Sequence, residues 1–187
     1  DSGERQQCLV TGNMDAPEAT HPAIKGVYGA QSSGAAMVSF NAPAFCSYGK
    51  EQSLNAPVGK YAAFAYTSAL NYLLADKPNV HRIGDTTVVC WAEGADTQYT
   101  DFADFSLFGD APPAGWTEDD LHDAVKKLSQ GLPCKELALD PDRAFYILGL
   151  APNAARLSVR FFYRDSCGKL IRNVSSHYGR LEIVGSS

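Results

Sequence analysis

The 187 residues include 45% hydrophobic and 20% charged side chains, enough apolar material to bury a core, which excludes a disordered segment. A net charge of −5 excludes a surface that is basic throughout. No apolar run approaches the ~20 residues that a membrane helix needs.

The charge is unevenly placed. Residues 1–142 hold 9 Lys and Arg against 19 Asp and Glu, a net of −10, whereas residues 143–187 hold 7 against 2, a net of +5. Six of those seven cations are arginines, which suit bidentate contact with phosphate, so any nucleic-acid contact is expected to be local. Pairing of the same arginines with acidic groups of this chain or of a neighbouring subunit is the competing reading. Five cysteines stand 33 to 44 residues apart with no CxxC pair. That pattern argues against a disulfide framework or a zinc ribbon and fits thiols held in a reducing cytoplasm. The polar start, Asp1 to Glu4, without an initiator Met, reads as a cut inside a longer polypeptide.

In chain order, residues 7–11 (QCLVT) predict a short strand and residues 12–26 a proline-punctuated loop. Gly29 to Gly34 has the G-x-x-x-x-G spacing of a phosphate loop, but Ala35-Ala36 stands where Lys-Ser/Thr should follow, which argues against a nucleoside triphosphate site. It remains a small-residue turn able to offer amides and the Gln31 side chain. Residues 35–40 (AAMVSF) predict a buried strand, and Asn55 an N-cap for a central helix, apolar on nearly every side, that ends before Asp76. Alternation over residues 83–92 predicts a strand. Residues 93–115, with Asp interleaved among Tyr and Phe, read as a lid or interaction loop without the spacing of a calcium loop.

Thr117, with Asp120 in place of the usual Glu of a capping box, opens a helix whose apolar face is Leu121, Ala124, Val125 and Leu128, stopped by Gly131. Residues 145–150 and 157–163 predict a hairpin that sets Arg156, Arg160 and Arg164 on one face at intervals of about 13 Å. Residues 170–181 predict a last helix, weakened by Gly179. Together these elements predict one α+β domain over residues 1–187: a small, mostly antiparallel mixed sheet with about three helices packed on it.

No motif assembles a catalytic group. His21, His81, His122 and His177 fall in unrelated contexts, and neither H-E-x-x-H nor G-x-S-x-G occurs. The chain is therefore expected to be non-catalytic, with no metal and no cofactor. A Ser/His hydrolase would need Ser32 or Ser33 to meet His21 or His81, and Asp85 with His81 is the other acid/base pair to consider.

The runs GAQSSGAAMVSFNAPAFCSYGKEQSLNAPV, AAFAYTSALNYLL, IGDTTVVCWAE and FYILGLAPNAARLSVRFFY, flanked by QCLVTG and HPAIKGV near the start, resemble the large subunit of the type I-C CRISPR Cascade effector complex, the Csd family. The resemblance runs over nearly the whole chain, in the family's order, as an internal piece of a longer protein. It implies a cytoplasmic, non-enzymatic part in antiviral defence. Within a crRNA-guided surveillance complex, such a subunit would bind target double-stranded DNA, help read the flanking motif (the PAM) and support strand separation. It would also contact the other subunits and offer a docking surface to a helicase-nuclease, with no membrane partner.

The resemblance assigns no residue to DNA. On chemistry, Gln31, Ser32, Ser33 and Asn41 suit base edges, Lys25, Arg156, Arg160 and Arg164 suit phosphates, and Asn153 suits either. A purely structural scaffold without DNA contact, using residues 93–115 as its apolar patch, is the alternative from another class.

Overall fold

The structure, a computed structural model, describes residues 5–40, 42–76, 80–94 and 96–181. It is an α+β fold, as the pattern predicts. Strands β1 (Gln6–Gln7) and β2 (Met14–Asp15) form one antiparallel pair. The second sheet has the order β3 (Val80–Ile83), β4 (Thr86–Ala92), β5 (Ala144–Asn153), β6 (Arg156–Ser166), so every strand pairs with its neighbour in sequence. Four α-helices are described: α1 (Lys60–Ala75), α2 (Thr97–Ala103), α3 (Glu118–Ser129) and α4 (Cys167–Leu181). The chain divides into two compact units, Asp1–Thr87 with Gly149–Arg160, and Val88–Leu148 with Phe161–Ser187.

In the first unit, α1 begins five residues after Asn55, the predicted cap. Asn55 ends a 3₁₀ turn, where its side chain accepts from the Ser47 amide (2.9 Å) and donates to the carbonyls of Lys50 (3.1 Å) and Gln52 (2.9 Å). Its capping capacity is thus engaged in the preceding loop, and Gly59 takes the N-cap position. The helix is not buried all round either. Ala62, Ala63, Thr67, Leu70 and Leu74 are covered, whereas Tyr61, Phe64 and Tyr72 stand 74%, 65% and 79% exposed along the opposite stripe. The strand expected over residues 35–40 reduces to two isolated bridges, Ala35 to Ile24 and Ala36 to Arg156, the latter parallel. The strand expected over residues 83–92 is present as β4 from Thr86, and Gly84 (φ +62°) supplies the positive φ that a two-residue type II′ turn demands between β3 and β4. The predicted strand over residues 7–11 shrinks to β1, and Leu9 and Val10 lie exposed.

The second unit holds an extensive core among the described residues. Leu121, Ala124 and Leu128 of α3 meet Leu170 and Ile171 of α4, Phe102 of α2, and Val88, Cys90 and Phe145 from the sheet. Residues 109–115 stay a largely exposed loop, but residues 97–108, expected to belong to it, do not. They fold into α2 and a π-helical turn, with Asp96 accepting from the Gln98 amide as N-cap and Tyr99 and Phe102 fully buried. The Tyr99 hydroxyl accepts from the Asp140 amide (2.8 Å), which fixes the segment entering β5. All five cysteines are free thiols, and burial pushes Cys90 and Cys167 up to about 12.

The predicted capping box is present at α3. Thr117 Oγ1 accepts from the Asp120 amide (3.2 Å), and the Asp120 carboxylate accepts from the Thr117 amide (3.0 Å) and hydroxyl (2.6 Å). Those donors hold the Asp120 carboxyl below the usual carboxylate range. Thr117→Ala is expected to lower unfolding stability by about 1 kcal/mol at neutral pH. A carboxyl with a depressed folded pKa stabilises above its ordinary pKa, and that share fades as pH falls through the folded value. The gap in melting temperature between the variant and the parent, followed by circular dichroism, should therefore narrow towards acid pH. A gap that is constant from pH 7 to pH 3 would refute the box as its cause.

Candidate nucleic-acid interface

The small-residue loop is a closed structure. Ile24 and Ala35 exchange both backbone hydrogen bonds (3.0 Å each), so residues 25–34 project from a pinned base. Gly34 (φ +95°) is obligatory there: a Cβ would lie 2.9 Å from Ala23 Cβ and from the Ile24 carbonyl oxygen, and 3.1 Å from Lys25 Cγ. Asn71 of α1 holds the entry to the loop, accepting from the Lys25 amide (2.8 Å) and donating to the Ala23 carbonyl (3.1 Å). Lys25, Gln31, Ser32 and Ser33 are all exposed on this one loop.

The β5–β6 hairpin lies against the loop within the same unit. A Cβ at Gly29 would come within 3.3 Å of Pro152 Cγ, and the Leu157 amide donates to the Ala36 carbonyl (3.0 Å). Asn153 is thereby exposed at the hairpin tip, beside Ala154 in the left-handed region (φ +53°). The structure thus brings together six of the nine predicted residues: Lys25, Gln31, Ser32 and Ser33 on the loop, Asn153 and Arg156 on the hairpin. Asn41 lies outside the described residues.

The arginines of β6 have distinct partners. The Arg156 guanidinium stands 4.5 Å from the centre of the Phe45 ring. Arg160 donates to Asp85 Oδ2 (2.9 Å), with both side chains at least half exposed. The Thr86 hydroxyl first, and then Arg160, hold the Asp85 carboxyl below its usual range. Asp85 is thus committed to Thr86 and Arg160. Arg164, in the second unit, lies 5.7 Å from the Tyr146 ring.

Residue-by-residue reading overlooked Arg82 and Tyr28. The Arg82 guanidinium sits 3.3 Å above the Tyr28 ring, and the Tyr28 amide donates to Thr87 Oγ1 (2.8 Å), which sets a cation and an exposed aromatic beside the loop. Tyr28 follows GV at the loop entrance, and Arg82 precedes the Gly84 turn; neither matches a motif.

A cavity of about 140 Å³ in the same unit is lined by Thr20, His21, Ala36, Phe40, Gln52 and Ser53, among others. His21 is 4% exposed, its Nδ1 hydrogen-bonded to the Tyr66 hydroxyl (2.6 Å), and its Nε2 has no partner among the described residues. The ring is thus held by a tyrosine, while Ser32 and Ser33 stand on the exposed loop. Burial lowers the His21 pKa against a smaller opposing pull from Glu18, and raises Tyr66 to about 12.

A family described as CRISPR-associated protein (Cas_Csd1) matches residues 1–187. The chain belongs to that family of CRISPR-associated proteins. No curated protein matches it. Among the described residues, no helix is long and apolar enough to cross a membrane.

The buried histidine gives the first unit a pH signature. A histidine whose folded pKa is depressed stabilises fully above its unfolded value of about 6.5 and loses that contribution as pH falls through the folded one. Thermal unfolding of the parent should therefore steepen in pH dependence below about pH 6.5, and His21→Gln should flatten it. An unchanged profile in the variant would show that His21 does not titrate on unfolding.

Proposed function

We propose that the chain is a non-catalytic part of a type I-C CRISPR surveillance complex that contacts target DNA near its flanking motif, in a reducing cytoplasm. Membership of the CRISPR-associated family supports a part in such a system. The observation that carries the reading is the closed loop of residues 25–34 lying against the β5–β6 hairpin. Lys25 on the loop, Arg82 over Tyr28 and Arg156 on the hairpin share the unit with the exposed side chains of Gln31, Ser32, Ser33 and Asn153. Cations that fix a backbone beside small polar groups that reach base edges form the usual division of labour at a protein–DNA contact. In this reading the guide RNA reads the sequence by base pairing, while the protein reads the short flanking motif and supports strand separation. Other complex subunits and a helicase-nuclease are its protein partners.

A specific observation also favours the assembly reading. Tyr61, Phe64 and Tyr72 form an exposed aromatic stripe on α1 that suits contact with a neighbouring subunit, and this stripe replaces residues 93–115 as the apolar patch.

Arg156→Glu together with Arg160→Glu should weaken binding of the assembled complex to target duplex and lower the slope of log affinity against log salt by roughly 2, since each lost phosphate contact removes about 1. Asp85→Asn should act in the opposite direction, because it deletes the carboxylate that compensates Arg160. Filter binding across a salt series measures both. Identical slopes in parent and double variant would remove these arginines from the DNA contact, and a complex that no longer assembles would assign them to subunit docking.

A further inference from the structure

In the second unit, the sheet face opposite the core carries a cluster of aromatic rings. Val88, Cys90 and Ala92 of β4 and Phe145 of β5 turn inwards, so Trp91 and Tyr146 alternate outwards. Trp91 and Tyr146 stack at 5.2 Å between centroids with planes 8° apart. Phe162 of β6 joins them, 6.2 Å from Tyr146 at 24° and 6.3 Å from Trp91 at 33°. The three rings thus form one cluster, with Trp91 and Tyr146 half-buried and Phe162 56% exposed.

Exposed charges of both signs flank the rings, Glu93 two residues beyond Trp91 and Arg164 beyond Phe162. Arg164 is exposed on the same strand, two residues beyond Phe162, with its guanidinium 5.7 Å from the Tyr146 ring. The carboxylate that follows, Asp165, sits on alternate parity and is closed off by Lys169 Nζ (2.7 Å), which holds its carboxyl below the usual range. A ring cluster with exposed Phe162 beside an exposed arginine suits a ligand with flat apolar plates joined by anionic links. A duplex hides its plates by stacking them on each other; a separated strand offers them.

We propose that Trp91, Tyr146 and Phe162, with Arg164, form a stacking platform for single-stranded DNA, its bases lying on the rings and a phosphate meeting Arg164. This rests on the reading that the chain contacts target DNA, and it adds a site for the strand that is released when the duplex opens. Its residues belong to the second unit, whereas the loop and the hairpin tip belong to the first.

The test uses the full chain carrying Trp116→Phe, so that Trp91 is the sole tryptophan. Titration with a thymidine 20-mer should quench its fluorescence saturably. Phe162→Ala, at an exposed position, should weaken that binding on the order of ten-fold or more while leaving the melting temperature unchanged, and Phe162→Tyr should restore it. Arg164→Gln should lower the salt slope by about 1. Absence of quenching, equal affinity in Phe162→Ala, or tighter binding of a uridine 20-mer or of an acidic peptide would overturn the platform. Duplex binding measured in parallel separates the two proposals. If duplex binding still responds to the Arg156 and Arg160 reversals while the single strand is not bound, only the platform falls. If neither form of DNA binds, both fall.

Discussion

The packing of one sheet face against helices in the second unit is the constraint that everything else obeys. Strand residues alternate sides with a period of two, so once Val88, Cys90, Ala92 and Phe145 are committed to the core with α3 and α4, the orientation of Trp91, Tyr146 and Phe162 follows. A slip of one residue would drive three aromatic rings into the core and bring Cys90 and Phe145 out. The exposed rings and the buried ones are thus a single decision of register. Gly168 tightens it: its amide donates to the Pro141 carbonyl (2.9 Å), and a Cβ there would come within 2.7 Å of Pro141 Cβ and 2.9 Å of the Leu128 carbonyl oxygen. Helix α4 can approach α3 this closely only because no side chain intervenes.

The first unit solves a different problem, that of holding polar loop residues still. It uses backbone pairing at the base of the loop, an asparagine clamp from α1, and aromatic contacts for the cations. A cation over a ring keeps its full charge while its position is restricted, whereas one facing a carboxylate is partly compensated. Arg82 and Arg156 are of the first kind and Arg160 of the second. The field outside the loop is therefore set less by the number of arginines than by what each one touches.

What was legible in the sequence is what local chemistry decides. Helix α3 was readable because its cap, its apolar face and its terminal lysines agree, and the β5–β6 hairpin because its alternation is long. Misreadings came where a distant partner overrode a local signal. Residues 35–40 carry the composition of a strand, yet only Ala35 and Ala36 find backbone partners, and an apolar hexapeptide without a ladder is no strand. Asn55 is a sound cap residue drawn into a loop by three nearer backbone groups. In residues 93–115 the aspartates dominated the reading, although Asp96 is an N-cap and Tyr99, Phe102 and Ala103 recur at helical spacing, so the signal was present. Of the candidate interface, the loop and hairpin residues could be nominated singly. Their adjacency could not, because it depends on contacts between Gly29 and Pro152, and between Ala36 and Leu157, more than 120 residues apart.

The two readings of the basic C-terminal third are then not exclusive, since individual cations divide between them. Arg172 donates to the Ser129 carbonyl (2.8 Å), closing the C-terminal end of α3 where a positive charge opposes the helix dipole. Lys169 neutralises Asp165, and Arg143 lies 5.7 Å from the Tyr99 ring with its charge favoured by that phenol. These groups work on the fold itself. Arg156 and Arg164 touch aromatic rings, which leaves a full charge to project. The excess of +5 over residues 143–187 is thus narrowed by structure to a few positions, each paired with an aromatic group. An aromatic beside an uncompensated arginine is a poor partner for an acidic protein surface, which offers charge but no plate. It is a good one for a nucleic acid, which offers both.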